Sequence, residues 1–175
     1  MVACWLMCDR IDDSRDECHR SPPVFISLDE LMETGVEYFH VPLSNELNGL
    51  AEISKSRGYS YRDEIVISAE RLPNYGECIR RFFDEHLHKD EEIRYIRAGR
   101  GYFDVRSKDD QWIRILSEPG DLLVLPAGIY HRFSVTKENY VEAIRLFRGE
   151  PLWTPFNRSD SAVEEMEVRK NYLAG

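Results

Sequence analysis

Two histidines, His86 and His88, stand two residues apart, and Glu92 follows four residues after the second. On a β-strand, residues i and i+2 point to the same face, so these imidazoles can aim at one point. Glu92 cannot lie further along the same straight strand and still join them. Four residues of strand advance the chain by roughly 13 Å, whereas a metal ion takes its donors at about 2 Å. The spacing therefore predicts a turn at Lys89-Asp90-Glu91. Glu92 then opens the next strand, Glu92-Ile93-Arg94-Tyr95-Ile96, which runs to a turn signal at Ala98-Gly99. A third histidine, His131, follows the short apolar strand Leu122-Leu123-Val124-Leu125 and the tight turn Pro126-Ala127-Gly128. It opens a strand with Phe133 and Val135 on its own face. Single histidines in strands are usually surface or satisfied groups, but here three of only five fall into one arrangement. Three imidazoles and a carboxylate form an N/O donor set with positions left open on a six-coordinate ion. Iron(II), nickel(II) or manganese(II) suit it better than zinc in a closed tetrahedron.

Parity along these strands selects what surrounds such a centre. Arg94 and Ile96 share a face with Glu92, Phe133 shares one with His131, and Arg145 on a later strand lies with Ala143 and Phe147. An arginine facing the inside of a small barrel is costly unless paired. Arg94 and Arg145 are thus either anion-binding groups or members of internal ion pairs, for instance with Glu91 or Glu142. Phe82, Phe83 and Phe103 read as core packing.

The two histidine-bearing segments resemble the paired cupin motifs, G-x5-H-x-H-x3-4-E-x6-G and G-x5-P-x-G-x2-H-x3-N. Gly99, Gly120, Pro126 and Gly128 fit. Arg80 replaces the leading glycine of the first and Val135 the closing asparagine of the second, and neither departure touches a candidate ligand. The surrounding strings are more specific. L-P-N-Y, E-H-L-H, E-I-R-Y-I, G-Y-F-D-V-R, D-Q-W-I-R-I, L-P-A-G-I-Y-H-R-F, R-L-F-x-G-E-P and W-T-x-x-N-R look like the acireductone dioxygenase family of eukaryotic type, from about Trp5 to Asn157. The resemblance implies a double-stranded β-helix of the cupin or jelly-roll kind. It implies one Fe(2+) or Ni(2+) per chain on His86, His88, Glu92 and His131, with Arg94, Phe133, Arg145 and Ile96 around the substrate. It implies cleavage of acireductone, a dihydroxy-keto-methylthiopentene of methionine salvage, by dioxygen. The iron form would yield the keto acid precursor of methionine plus formate. The nickel form would yield methylthiobutyrate, formate and carbon monoxide. The rivals are another cupin dioxygenase or sugar isomerase with the same ligands, and a cupin that binds without catalysis.

The elements that must position the site read as follows. Residues 2–7 form an apolar strand and residues 9–23 a polar loop. Ser27-Leu28-Asp29-Glu30 is a capping box opening a helix with Leu28, Leu31 and Met32 inward, ended by Gly35. Residues 36–41 alternate as a strand. A helix over 44–57, with Leu47, Leu50 and Ile53 inward, stops at Gly58. Ser60 with Asp63 suggests a third helix carrying Ile65 and Ile67, and Asn74 with Glu77 a fourth through Phe83. From residue 84 short apolar runs alternate with turns, which predicts a sandwich or barrel. Residues 162–173 carry one more short helix. The expected architecture is mainly β with added α. It is one domain over 1–175, with a helix-rich part (1–83) packed outside, a barrel core (84–150) and a tail (151–175).

At 175 residues, 42% hydrophobic and 31% charged, the chain suits a single soluble globular domain. A net charge of −9 argues against general nucleic-acid or anionic-membrane binding, so an anionic substrate must be captured by a local cluster of arginines and metal. No apolar run approaches a membrane span or signal-peptide core, which predicts a cytoplasmic protein, by resemblance also nuclear and monomeric. Cys4, Cys8 and Cys18, with His19 beside them, raise a zinc site or a redox pair against plain reduced thiols, and no C-x2-C pair is present.

Overall fold

Strands of alternating or continuously apolar residues bury themselves by facing a second sheet, and here two antiparallel sheets do so. The computed structural model describes residues 2–175. Its strands are β1 (Ala3–Leu6), β2 (Phe25–Ile26), β3 (Glu37–His40), β4 (Tyr61–Ile67), β5 (His86–Leu87), β6 (Glu92–Gly99), β7 (Gly101–Arg106), β8 (Trp112–Ser117), β9 (Asp121–Leu125), β10 (His131–Val135), β11 (Val141–Phe147) and β12 (Phe156–Asn157). The helices are α1 (Leu28–Met32), α2 (Glu46–Arg57), α3 (Tyr75–Phe83) and α4 (Glu167–Ala174). One sheet has the order β12-β5-β10-β7-β8-β1-β2 and the other β3-β9-β6-β11-β4. Their inner faces share one core, in which Phe103, Val105, Ile115 and Val135 meet Ile96, Leu123, Leu125 and Val141. The outer face of the five-stranded sheet is apolar too. Ile93, Tyr95, Val124 and Ile144 pack there under Leu50 and Ile53 of α2. This double burial explains why β9 reads as one unbroken apolar run.

The capping box at Ser27 forms, with Ser27 Oγ accepting from the Glu30 amide at 3.2 Å and the Ser27 amide donating to Glu30 Oε2 at 2.8 Å. Gly58 ends α2 in the left-handed region at φ 74°. Gly49 within α2 is required by contact rather than by conformation. A Cβ there would stand 2.5 Å from Cγ1 of Val41, so the helix can lie this close to the sheet only without one.

Several expectations need correction. The segment opened by Ser60 and Asp63 is a strand, β4, paired with β11 from Val141↔Ile67 to Phe147↔Tyr61. Tyr61, Ile65, Val66 and Ile67 favour the pleated sheet, and that outweighs a capping signature. The Ser60 hydroxyl accepts from the Gly149 amide at 3.0 Å instead of capping a helix. Asn74 makes no side-chain cap on α3 and sits at φ 55°. Leu47 and Met32, expected inward, are 73% and 58% exposed. The C-terminal helix is two pieces, a 3-10 turn over Ser161–Glu165 and then α4. The sheets also draw on the segment before residue 84, since β1 and β2 extend one and β3 and β4 form both edges of the other. Among the described residues no helix is long and apolar enough to cross a membrane.

Candidate metal centre

The expected turn after His88 does more than reverse the chain. It carries the chain from the seven-stranded sheet to the five-stranded one, because β5 belongs to the first and β6 to the second. Glu92 therefore approaches the histidines from the opposite sheet. On the histidine side, His131 of β10 is paired directly across from His86 of β5. The Gly128 amide donates to the His88 carbonyl at 3.0 Å, tying together the two segments that carry the histidines. Gly128 is at φ 83°, and a Cβ on it would lie 2.5 Å from the Val168 carbonyl oxygen, so only glycine fits this turn.

The three imidazoles converge. One ring nitrogen of each lies within 4.8 Å of those of the other two. Each Nδ1 faces a backbone carbonyl: His86 that of Asp84 at 2.6 Å, His88 that of Thr154 at 3.0 Å, His131 that of Ile129 at 3.0 Å. A carbonyl can only accept, so Nδ1 carries the proton in each ring and Nε2 is left with its lone pair. Glu92 Oε2 stands 3.2 Å from Nε2 of His88 and 3.4 Å from Nε2 of His131. His131 Nε2 is buried with no hydrogen-bond partner. A buried polar atom is ordinarily satisfied, and this one points at the place where a cation would satisfy it. Burial, with the neighbouring His131 and His88 imidazoles adding to it, pushes His86 down to about 3. Burial alone would lower His88 too, but the Glu92 carboxylate prevails and raises it. Glu92 is buried, which favours its neutral form, yet Arg94 and the imidazoles hold it well below the usual carboxylate range.

Beside this cluster lies a cavity of about 360 Å³. All eight residues expected from the sequence line it: His86, His88, Glu92, His131, Arg94, Ile96, Phe133 and Arg145. Phe82 and Phe103, expected as core, line it as well while packing on Phe133 at ring distances of 6.2 and 5.0 Å. Phe83 lies instead under the Arg132 guanidinium, 4.1 Å from its ring centre.

Arg94 and Arg145 sit directly opposite each other on β6 and β11, a like-charge pair that must be offset. The partners are not Glu91 and Glu142, which accept from the hydroxyls of Tyr59 and Tyr140. Asp63 of β4 takes Arg145 in a bidentate grip, at 2.7 Å from Nε and 2.6 Å from Nη2. Arg94 is held more loosely, donating to the Ile93 carbonyl at 3.0 Å and standing 3.5 Å from Glu92. Trp153 covers both guanidiniums, its ring centre 5.2 Å from that of Arg94 and 4.4 Å from that of Arg145. Arg81 of α3 also lines the cavity. Nothing in the sequence pattern placed Asp63, Arg81 or Trp153 at the site. Only the W-T-x-x-N-R string pointed near one of them, and reading β4 as a helix hid the register that sets Asp63 against Arg145. Among the described residues, no metal-binding group includes Cys4, Cys8, Cys18 or His19.

Two facing antiparallel sheets, with a histidine cluster and a carboxylate at one end of the shared core, define a cupin whose site could hold a metal ion. The model of the ARD/ARD' family matches residues 3–155. "Acireductone dioxygenase" of Ixodes scapularis is 56% identical, covering 99% of this chain and 95% of its own length. "Acireductone dioxygenase 4" of Arabidopsis thaliana is 52% identical, with 98% and 91% covered. Among solved structures, an acireductone dioxygenase from Bacillus anthracis with a cadmium ion in its active centre superposes with a TM-score of 0.69 at 29% identity, over 78% of this chain and 94% of that one. The chain belongs to the ARD/ARD' family.

Proposed function

We propose that this chain is a metal-dependent dioxygenase that cleaves acireductone in methionine salvage, with His86, His88, Glu92 and His131 holding one iron(II) or nickel(II). The observation that carries the reading is the set of three imidazoles that each commit Nδ1 to a backbone carbonyl and bring one ring nitrogen apiece within 4.8 Å of the others, with Glu92 beside His88 and His131. A bound ion of this kind supplies Lewis acidity to a bidentate oxygen ligand and can fix its geometry. The donor set rejects neither iron nor nickel by affinity alone, so the family's two product sets, keto acid with formate or methylthiobutyrate with formate and carbon monoxide, are both open to it.

The rest of the chemistry falls to the protein. An enediolate anion needs a cation that is not already neutralised. Arg145 is matched by Asp63, so Arg94 is the receiving group. Its nearest carboxylate is Glu92, which a metal would claim. Phe133, Phe82, Phe103 and Ile96 form the apolar wall for the methylthio tail and keep water from the reacting carbons. Trp153 holds both guanidiniums in place from above. By the family resemblance the protein works as a monomer in the cytoplasm or nucleus on a small molecule and dioxygen, without nucleic acid or membrane.

Replacing Arg94 with Met is expected to raise KM for acireductone by about 10–100-fold with a smaller effect on kcat, the value of a charge-assisted hydrogen bond made in ground and transition states alike. Steady-state kinetics on metal-loaded enzyme check this. An unchanged KM would remove Arg94 from substrate binding. Metal uptake should also release protons. His88 is raised by Glu92, so the metal-free site is protonated there first, and affinity begins to fall while the pH is still above the ordinary imidazole value. Calorimetry of metal binding in buffers of different ionisation heat reads the proton count. No released proton at pH 6 would contradict the ligand set.

A further inference from the structure

The loop over residues 9–23 lies across the outer face of the seven-stranded sheet. It is pinned there by Arg114, which donates to the Ser14 carbonyl at 2.9 Å and to the Asp16 carbonyl, and by Trp5 Nε1 donating to the Glu17 carbonyl at 2.7 Å. Its two ends meet as an antiparallel pair. Met7 bridges His19, and the Cys8 amide donates to the Cys18 carbonyl at 2.8 Å. Cys8 and Cys18 are therefore directly opposed. A regular antiparallel pair sets its Cα atoms ~4.5–5.5 Å apart, inside the roughly 4.4–6.8 Å span that a disulfide bridges, and Cys18 itself turns the chain at φ 53°. Both are half-exposed and free, whereas Cys4 and Cys78 are buried.

We propose that Cys8 and Cys18 are a reversible oxidation site, closing to a disulfide that staples the 8–18 loop when a hydroperoxide is the oxidant. Cys8 is the attacking thiol. It sits at the surface, donating to the Arg10 carbonyl at 2.9 Å. Its sulfur takes the distal peroxide oxygen as the O–O bond breaks, giving a sulfenic acid and releasing water or an alcohol. The Cys18 sulfur then attacks the Cys8 sulfur, the S–S bond forms and the hydroxyl leaves as water. Two thiol hydrogens and two electrons pass to the peroxide. A dithiol reverses the change by exchange. Burial pushes Cys18 up to about 11 and leaves little thiolate to meet free peroxide, and its fixed place across the pair from Cys8 lets that small thiolate fraction attack the Cys8 sulfenic acid. Cys4, pushed up to about 12 by burial, is an internal control that should not react.

The test treats the full chain, loaded with redox-inert zinc(II), with hydrogen peroxide and reads thiols, intact mass and cross-linked peptides. The expected result is a fall from four free thiols to two, loss of two hydrogens, a Cys8–Cys18 cross-linked peptide and full reversal by dithiothreitol. The thermal midpoint of the oxidised monomer should rise by roughly 5–10 °C. Cys18→Ser should halt at a sulfenic acid on Cys8 that dimedone traps, and Cys8→Ser should keep all its remaining thiols. Sulfinic acid on Cys8 with Cys18 still free, a disulfide between two chains, or four unreacted thiols would each overturn the proposal.

Discussion

His131→Ala is expected to leave a folded protein that no longer retains metal and turns over acireductone at least ~100-fold more slowly, since even residues that only orient a ligand cost 10–100-fold. His131 is 3% exposed, and its Nε2 has no hydrogen-bond partner among the described residues. An atom so placed adds nothing to stability on its own. Its removal also separates imidazoles packed at ring distances of 4.4 and 5.2 Å from His86 and His88. Loss of the buried ring and of its Nδ1 bond to the Ile129 carbonyl should cost about 1–3 kcal/mol of folding stability, which leaves the chain folded, while metal content collapses. Metal analysis after dialysis, circular dichroism and turnover under air check the three parts together. Retained metal with lost activity would move His131 from ligand to substrate contact. A large loss of stability would mean that its role is packing.

Asp104→Ala is expected to do the opposite, costing stability without touching the site's chemistry. Asp104 of β7 is fully buried, and its two carboxylate oxygens take Arg114 at 2.7 and 2.8 Å and Arg132 at 2.9 Å. Arg114 is itself completely buried and Arg132 is 9% exposed. The guanidiniums also lie over aromatic rings, Arg114 over Tyr102 at 4.4 Å and Arg132 over Trp112 at 4.0 Å. Removing the one carboxylate leaves two arginines desolvated and facing each other. Breaking a buried pair in this way costs about 3–5 kcal/mol, which for a chain of this size lowers the thermal midpoint by roughly 6–20 °C. Differential scanning calorimetry measures it. A shift below about 2 °C would show that water reaches the cluster. The triad lies behind β10, which carries His131, so residual kcat measured well below the new midpoint should match wild type.

The convergence of the three histidines with Glu92 was legible because the requirements of a metal site constrain residue type, spacing and turn chemistry at once. His-x-His, a charged turn, a glutamate at a strand start and a Pro-Ala-Gly turn before a histidine leave few other arrangements. Strand parity then placed Arg94, Ile96, Phe133 and Arg145 on the cavity wall. What parity could not supply was the partner across the sheet. Asp63 faces Arg145 only because β4 is a strand in register with β11, and a Ser-x-x-Asp pattern read locally gave a helix. The local signal was genuine chemistry, a hydroxyl and a carboxylate seeking partners, but both found them on β11 and the segment after it. Leu47 shows the same limit in a helix. It shares a helical period with Leu50, yet α2 leaves it 73% exposed while Leu50 is buried. The place of Trp153 over the two arginines was not legible for a different reason. It lies on a segment without regular structure, placed by tertiary contacts alone.

The most direct measurement of the central claim is product analysis after metal exchange. Metal-free protein is reloaded separately with iron(II) and with nickel(II), supplied with acireductone under air, and its products identified. Turnover is expected in both preparations, with keto acid and formate from the iron form and carbon monoxide from the nickel form. Folded protein that binds either ion at one site per chain yet consumes no acireductone would contradict it.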